Sequence, residues 1–190
     1  MSITFQTTHE WQEARWNQAE AVYNEAFPEA GRKSRAIVQR MFERGIAMLH
    51  TWHEDEDVVA MALSSVNMQA KVLVLDYIAV RQDHRGQGLG RRCIADIRAW
   101  ASLEAGCKAI VIEVEAEETP VNQERIQFWQ RIGFHLTAYV HPYIWVPETY
   151  RAMYLNLDED ELLKDDGKKL FKYITNYHER AYRGKLSVSK

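Results

Sequence analysis

A chain of 190 residues with 46% apolar and 27% charged side chains is the size of one domain and excludes disorder over most of its length. Its formal charge of −3 excludes the strongly basic surface of a general nucleic-acid binder, so no nucleic-acid partner is expected. No apolar run reaches membrane-spanning length, and Glu10 and Glu13 interrupt any basic-then-apolar leader, so no membrane partner is expected and a cytoplasmic location follows.

In chain order, residues 3–7 read as a short strand and residues 9–27 as a helix carrying Trp11, Trp16, Ala19 and Tyr23 at helical spacing, broken by Pro28 and Gly31. A second helix covers residues 33–44 and stops near Gly45. Strands over 46–53 and 58–68 flank the acidic turn 54–57 and form a hairpin. Residues 71–80 make a strongly β-branched strand that runs into a glycine-rich turn. Behind that turn Leu89, Cys93, Ile97 and Trp100 form the buried stripe of a helix ending near Gly106. A strand over 108–116 follows, then Thr119-Pro120 introduces a helix over 122–132 that Gly133 stops. A further strand begins at Phe134, and residues 151–157 close the sheet. In the remainder, Leu170, Ile174, Tyr177 and Ala181 lie on one helical face. This helical extension, 158–190, is expected to pack on the domain 1–157 or on a second subunit, which leaves a homodimer open.

Cys93 and Cys107 are the only cysteines and fall on or just past one helix, so no disulfide is expected and Cys93 reads as a small core residue. The seven histidines form no metal pattern. His50 and His53, three apart in a strand, lie on opposite faces and cannot share a ligand, so no metal is expected.

The most telling stretch is Val80-Arg81-Gln82-Asp83-His84-Arg85-Gly86-Gln87-Gly88-Leu89-Gly90. Glycines at alternate positions let the backbone adopt φ values other residues avoid, so that several N–H groups converge on one anion. The helix N-terminus behind them adds unsatisfied donors and a partial positive charge. A phosphate-bearing ligand is implied. No Lys-Ser or Lys-Thr follows the last glycine, and the spacing is G-x-G-x-G, so neither the nucleotide P-loop nor the dinucleotide fingerprint is present.

With its flanks, R-x-x-x-R-G-Q-G-L-G resembles the acetyl-CoA pyrophosphate loop of the GNAT superfamily of acetyltransferases. The element order over residues 1–157 also resembles the GNAT fold, an α+β arrangement with a mixed central sheet of about seven strands flanked by helices. The resemblance is densest from Asp76 to Phe134 and implies acetyl-CoA as co-substrate and an amine-bearing acceptor. It matches Arg85, Gly86, Gln87, Gly88, Leu89 and Gly90 to the pyrophosphate loop, held mainly through main-chain amides. It matches Ile78 and Val80 to positions whose main chain pairs with the pantetheine arm and whose amide polarises the thioester carbonyl. Asn122, seven residues before Trp129, stands where the family often has an asparagine that reaches the coenzyme. Arg125 replaces a small residue beside the coenzyme path and contacts a coenzyme phosphate or a substrate carboxylate, or is simply solvated.

Acetyl transfer to an amine requires a neutral nucleophile. An alkylamine of pKa about 10.4 is almost wholly protonated at pH 7, a handicap of roughly 4.6 kcal/mol, so a base is required. In Ala109-Ile110-Val111-Ile112-Glu113-Val114-Glu115 the alternation sets Glu113 and Glu115 on the face opposite Ile110, Ile112 and Val114. Ile112-Glu113-Val114 lines up with the segment carrying the general-base glutamate in the family's ribosomal-protein N-terminal acetyltransferases, which makes Glu113 the first choice. The alternative is a strand-end glutamate that holds an arginine or caps a loop. Glu115 faces solvent or helps attract a cation. Asp76 interrupts an apolar strand on the face of Val74, Ile78 and Val80, either to orient substrate or as a satisfied buried carboxylate.

One departure from the family matters. Trp129 stands where a tyrosine commonly protonates the departing thiolate, and an indole N–H is far too weak an acid to replace it. Tyr139 is the substitute chosen, with Tyr143 and Tyr77 as further candidates, each with an aromatic-wall role as the alternative. Two functional readings follow: an acetyl-CoA-dependent N-acetyltransferase acting by direct attack in a ternary complex, or a non-catalytic acyl-CoA-binding or partner-binding module.

Overall fold

The computed structural model describes residues 2–160 and 162–183, so residues 184–190 of the expected C-terminal extension lie outside the described residues. Seven strands are present among the described residues: β1 (Ile3–Thr8), β2 (Met48–Glu54), β3 (Asp57–Asn67), β4 (Val72–Val80), β5 (Ala109–Glu115), β6 (His135–Pro142) and β7 (Thr149–Asn156). They form one sheet in the order β1-β2-β3-β4-β5-β7-β6. The β4–β5 pair is parallel, while the β1–β2, β2–β3, β5–β7 and β6–β7 pairs are antiparallel. Five α-helices among the described residues, α1 (Glu13–Ala26), α2 (Arg35–Glu43), α3 (Leu89–Leu103), α4 (Pro120–Arg131) and α5 (Gly167–Tyr182), complete the mixed α+β architecture that the element order implies.

The last strand does not form an edge; β7 inserts between β5 and β6. Burial explains why. Ala152, Met153, Tyr154 and Leu155 are consecutively buried, as a strand covered on both faces and paired on both sides must be. β6 alternates exposed and half-buried positions around the single buried Thr137, which suits an edge.

Helix starts follow local hydrogen bonding. α1 begins at Glu13 rather than residue 9 because the amide of Glu10 donates to Thr8 Oγ1 at 3.2 Å, a side-chain turn that competes with helix. Ser34 caps α2 by accepting from the Ile37 amide, and Thr119 caps α4 by accepting from the Asn122 amide at 3.2 Å, with Pro120 at the first helical position.

The described residues fall into two compact units. One comprises residues 2–65, 77–93 and 176–183. Its core includes Trp16, Tyr23, Met41, Trp52, Met61 and Leu63, each at most 2% exposed. His50 is wholly buried between Thr7 Oγ1 and Ser64 Oγ, both 2.8 Å from its ring nitrogens, so it links β1, β2 and β3. Burial lowers its pKa to about 3, which keeps it neutral. His53 instead meets Thr51 Oγ1 at 2.9 Å. Lys33 is also buried: its amide donates to Tyr23 Oη at 2.9 Å, and its Nζ lies 3.3 Å from His178 Nδ1 and over the rings of Tyr77, Tyr177 and Tyr182. Arg44 donates to the carbonyls of Arg180 and Arg183 and so completes the last turn of α5.

The other unit comprises residues 66–76 and 94–175 except Glu161. Its core holds Leu73, Ile94, Ile97, Ile110, Val111, Met153, Leu170 and Phe171. Trp100, expected on the buried stripe of α3, is only half-buried, whereas Ile94 and Ala101 complete that stripe. Both cysteines are free and buried, and burial pushes the Cys107 thiol up to about 11, well away from thiolate reactivity. The four expected apolar residues of α5, Leu170, Ile174, Tyr177 and Ala181, are each at most 2% exposed.

At the start of α5, a Cβ on Gly167 would stand 2.7 Å from both Thr137 Oγ1 and Tyr139 Cβ. Gly167→Ala is therefore expected to destabilise the protein by about 1–3 kcal/mol through overpacking, measured as a lowered urea midpoint.

Candidate active site

The glycine turn lies in the first unit. β4 ends at Val80, the Arg81 amide donates to the Val59 carbonyl at 2.9 Å, and Gln82–His84 make one turn of 3₁₀ helix. Gly86 and Gly88 then take left-handed φ values of +75° and +83°. A Cβ at either would meet nothing within 4 Å, so glycine is required there by backbone conformation and leaves open space above the turn. The Gly88 carbonyl accepts from the amides of Arg91 (3.1 Å) and Arg92 (3.2 Å), which makes Gly88 the N-terminal boundary of α3. Gly90 differs from the expectation: it sits in helical backbone in the first turn of α3, so two of the three glycines carry the unusual φ. The Leu89 and Gly90 amides are among the first donors of α3, for which the helix provides no acceptor.

Side chains of the turn brace it against its own unit. Asp83 accepts from Arg81 Nε at 2.8 Å and from His84 Nδ1 at 2.6 Å, while His84 Nε2 lies 3.1 Å from Glu54 Oε2. Arg85 Nε donates to the Val80 carbonyl at 2.8 Å, and the Gln82 amide donates to Glu25 Oε1 at 2.6 Å. Gln87 Nε2 donates to the Asp83 carbonyl at 3.1 Å. The hydrogen bonds from Arg81 and His84 hold the Asp83 carboxyl down at about 2, and the same bond to Asp83, with Glu54, raises His84 above its usual value. Ile78 and Val80 are half-buried, and the Val80 carbonyl is occupied by Arg85. Tyr77 donates to the Gly31 carbonyl at 2.9 Å.

The carboxylates singled out in the sequence lie in the second unit. The parallel β4–β5 ladder covers three positions, Val72↔Ala109 to Val74↔Val111, whereas β5 remains paired to β7 as far as Glu115↔Tyr150. Glu113 and Glu115 are half-buried, while Ile112 and Val114 between and beside them are buried at 3% and 5% exposure, as the alternation requires. Tyr143 Oη donates to Glu113 Oε2 at 2.6 Å, the length of a charge-assisted bond. Burial first, then Glu113 and the field of Tyr150 and Asp76, hold Tyr143 far above the usual tyrosine range. Tyr150 is pushed up to about 12 by burial, then by Glu113, Glu148 and Glu115. Both phenols are therefore donors, not acids, near neutrality.

Around this bond runs a string of rings. Tyr143 lies 4.8 Å from His141, 5.1 Å from Trp145 and 5.4 Å from Tyr150, and His141 stacks on Phe171 at 4.3 Å. Tyr139 Oη is 3.3 Å from His141 Nδ1. Burial lowers the His141 pKa, partly opposed by Glu113, so the imidazole is neutral at pH 7. Asn122 is buried with Nδ2 donating to the Glu117 carbonyl at 3.0 Å. Arg125 reaches Glu115 at 3.7 Å in an exposed pair of little energetic weight. Trp129 is 7% exposed and packs edge-on against Phe134, 5.0 Å away, as a core residue.

Among the tyrosines considered from sequence, Tyr143 is the one whose hydroxyl sits on Glu113; Tyr150 was missed. No local signal marks either. They reach Glu113 because β7 pairs Glu113 with Ala152 and Glu115 with Tyr150, and the β6–β7 turn folds back over that register. Among the described residues no group of three or more His, Cys, Asp or Glu side chains is arranged to hold a metal ion.

No helix among the described residues is long and apolar enough to cross a membrane. A comparison with curated protein sequences finds no match. Among solved structures, an acetyltransferase assigned to the GNAT family from Desulfovibrio desulfuricans aligns at a TM-score of 0.67 with 16% identity, covering 83% of this chain and 100% of that one. One from Bacteroides thetaiotaomicron aligns at 0.68 with 19% identity, covering 93% and 94%. The ribosomal-protein-S18-alanine N-acetyltransferase of Escherichia coli aligns at 0.57 with 18% identity, covering 85% and 100%. At these identities the likeness is one of fold. The model of the acetyltransferase (GNAT) family matches residues 8–134, more than half of the sequence, and with the turn and sheet described above the chain belongs to the GNAT family of acetyltransferases.

Proposed function

We propose that the chain transfers an acetyl group from acetyl-CoA to a primary amine by direct attack in a ternary complex. The observation that carries this reading is the pair of left-handed glycines, Gly86 and Gly88, set at the N-terminus of α3 with open space above them. That arrangement suits a diphosphate. Arg85, Gln87, Leu89 and Gly90 belong to the same cradle, its charged side chains bracing the turn while its amides face the anion. The main chain at Ile78 and Val80 guides the pantetheine arm. Arg125, which makes a weak exposed pair with Glu115, is assigned to a coenzyme phosphate, and the Asn122 side chain stabilises the entry to α4.

Acetyl-CoA supplies a thioester whose acetyl carbon is the electrophile. Glu113 takes the proton from the ammonium of the acceptor, and Asp76 helps to orient that ammonium. The amine nitrogen then bonds to the acetyl carbon as the carbon–sulfur bond breaks, and it sheds a second proton to become the amide, which balances the proton that the thiolate takes up. Coenzyme A leaves as a thiolate of pKa about 8.5, tolerable at pH 7 without a strong acid. Tyr139, hydrogen-bonded to His141, is the group assigned to return a proton to it.

Three outcomes test the reading. With acetyl-CoA and a panel of amines, Glu113→Gln is expected to lower thiol release by about 10²–10⁴-fold while calorimetric acetyl-CoA binding persists; undiminished turnover removes Glu113 as base. Acetyl-CoA binding without turnover of any amine supports the non-catalytic module instead. Gly88→Trp, forced into left-handed φ, is expected to abolish acetyl-CoA binding; unchanged affinity would overturn the cradle.

The pH dependence of stability carries its own sign. His84, raised in the folded turn, contributes fully below about pH 6.5 and loses its contribution as pH rises through its higher folded value. Asp83, depressed to about 2, contributes above its ordinary range near 4 and fails only toward pH 2. The His84 part of the stability is therefore expected to fade as pH rises from about 6.5 to about 9, read as a falling urea midpoint, and His84→Gln should lose that part of the slope.

A further inference from the structure

The turn between β6 and β7 presents two consecutive large apolar side chains to solvent, Ile144 at 97% and Trp145 at 63% exposure. Isolated exposed apolar residues need no explanation, but a large exposed ring tied to a candidate catalytic group does: the Trp145 ring lies 5.1 Å from Tyr143, whose hydroxyl is bonded to Glu113. This segment is braced: Tyr143, directly before Ile144, is bonded to Glu113 at 2.6 Å, and its ring contacts Trp145, Tyr150 and His141. Trp145 is thus two residues from a group fixed on the candidate base.

Charge and apolar surface are segregated here. Asp76 and Glu113 both act on Tyr143, so the carboxylate end suits an ammonium. The neighbouring imidazole of His141 is neutral at pH 7 and does not repel a cation. The other carboxylate on the same face of β5, Glu115, already faces Arg125. Ile144 offers a second ammonium nothing, since a strongly hydrated cation gains no energy from an aliphatic side chain.

We propose that the acceptor bears its primary amine a few bonds from a flat or branched apolar group, the amine meeting Glu113 and the apolar group covering Trp145 and Ile144. This inference rests on the N-acetyltransferase reading above. Two sources share the chemistry, a small arylalkylamine and the N-terminus of a peptide that begins with a large apolar residue, and the test separates them.

The experiment measures kcat/KM by thiol release at saturating acetyl-CoA for tryptamine, a tetrapeptide beginning with leucine, and spermidine. Tryptamine or the peptide is expected to exceed spermidine by at least about tenfold, a factor within the range for burying one large apolar side chain. Whichever of the two is better identifies the source. Trp145→Ala should lower the ratio of the preferred amine to spermidine by about tenfold, and Trp145→Phe should restore most of it. Trp145 is exposed, so the fold should tolerate both changes, and the wild-type ratio tests the inference without any variant. Spermidine turned over as well as or better than the apolar amines, or equal losses for all amines in Trp145→Ala, would overturn this inference while leaving the N-acetyltransferase reading intact. Acetyl-CoA binding with no turnover of any amine would overturn both.

Discussion

The pairing of β7 with β5 is the constraint on which the chemistry of the second unit depends. Because β7 is continuously buried from Ala152 to Leu155, it takes an interior place and pairs with β5 along the whole length of that strand. The register then places Ala152 opposite Glu113 and Tyr150 opposite Glu115. The short turn back from β6 carries Tyr143 to the same carboxylate. Had β7 formed the outer edge, β6 would lie next to β5 and this register would not exist. A bond of 2.6 Å between a phenol and a carboxylate is strong because its acceptor is charged. It fixes one oxygen of Glu113, which limits the rotamers open to that carboxylate.

In the first unit the comparable constraint is Asp83. One exposed carboxylate gathers Arg81 and His84, and through His84 reaches Glu54 on β2. The Asp83 carboxylate is too exposed for either of its contacts to contribute much alone, but several charges sharing one centre define a geometry better than isolated pairs do. The consequence lies in the backbone: a left-handed glycine loses more conformational freedom on ordering than other residues, and Gly86 and Gly88 flank a single residue. The bracing bonds from Arg85 to Val80 and from Gln87 to Asp83 offset that loss before any ligand arrives.

What the sequence made legible was local, and what it hid was long-range. The glycine turn could be read because its meaning resides in consecutive residues, and β1 to β5 and α1 to α4 were anticipated to within a few positions because hydrophobic period and capping residues act over short windows. Gly90 was the exception within the turn, since a glycine inside the first helical turn has the same one-letter signature as one in left-handed backbone. The β5 alternation correctly separated Glu113 from Ile112 and Val114. Tyr143 on Glu113, thirty positions away, follows only from strand order. Gly167 was likewise silent, because its crowding arises from Thr137 and Tyr139 on a different element.

The phenols around Glu113 also bear on the proposed reaction, in which Trp129 stands where the family commonly has a tyrosine acid. Trp129 is buried against Phe134, so that position serves packing. Tyr143 and Tyr150 are driven to higher pKa by burial and by the carboxylates around them, which disqualifies them as proton sources near neutrality. The same shift improves them as hydrogen-bond donors that never ionise. A donor that stays neutral beside its carboxylate partner holds that group in place. In the proposed reaction such placement counts most where the deprotonation of the amine, rather than the departure of the thiolate, sets the barrier, because a well-placed base then matters more than a strong acid. A leaving group of pKa about 8.5 facing an ammonium of about 10.4 is such a case.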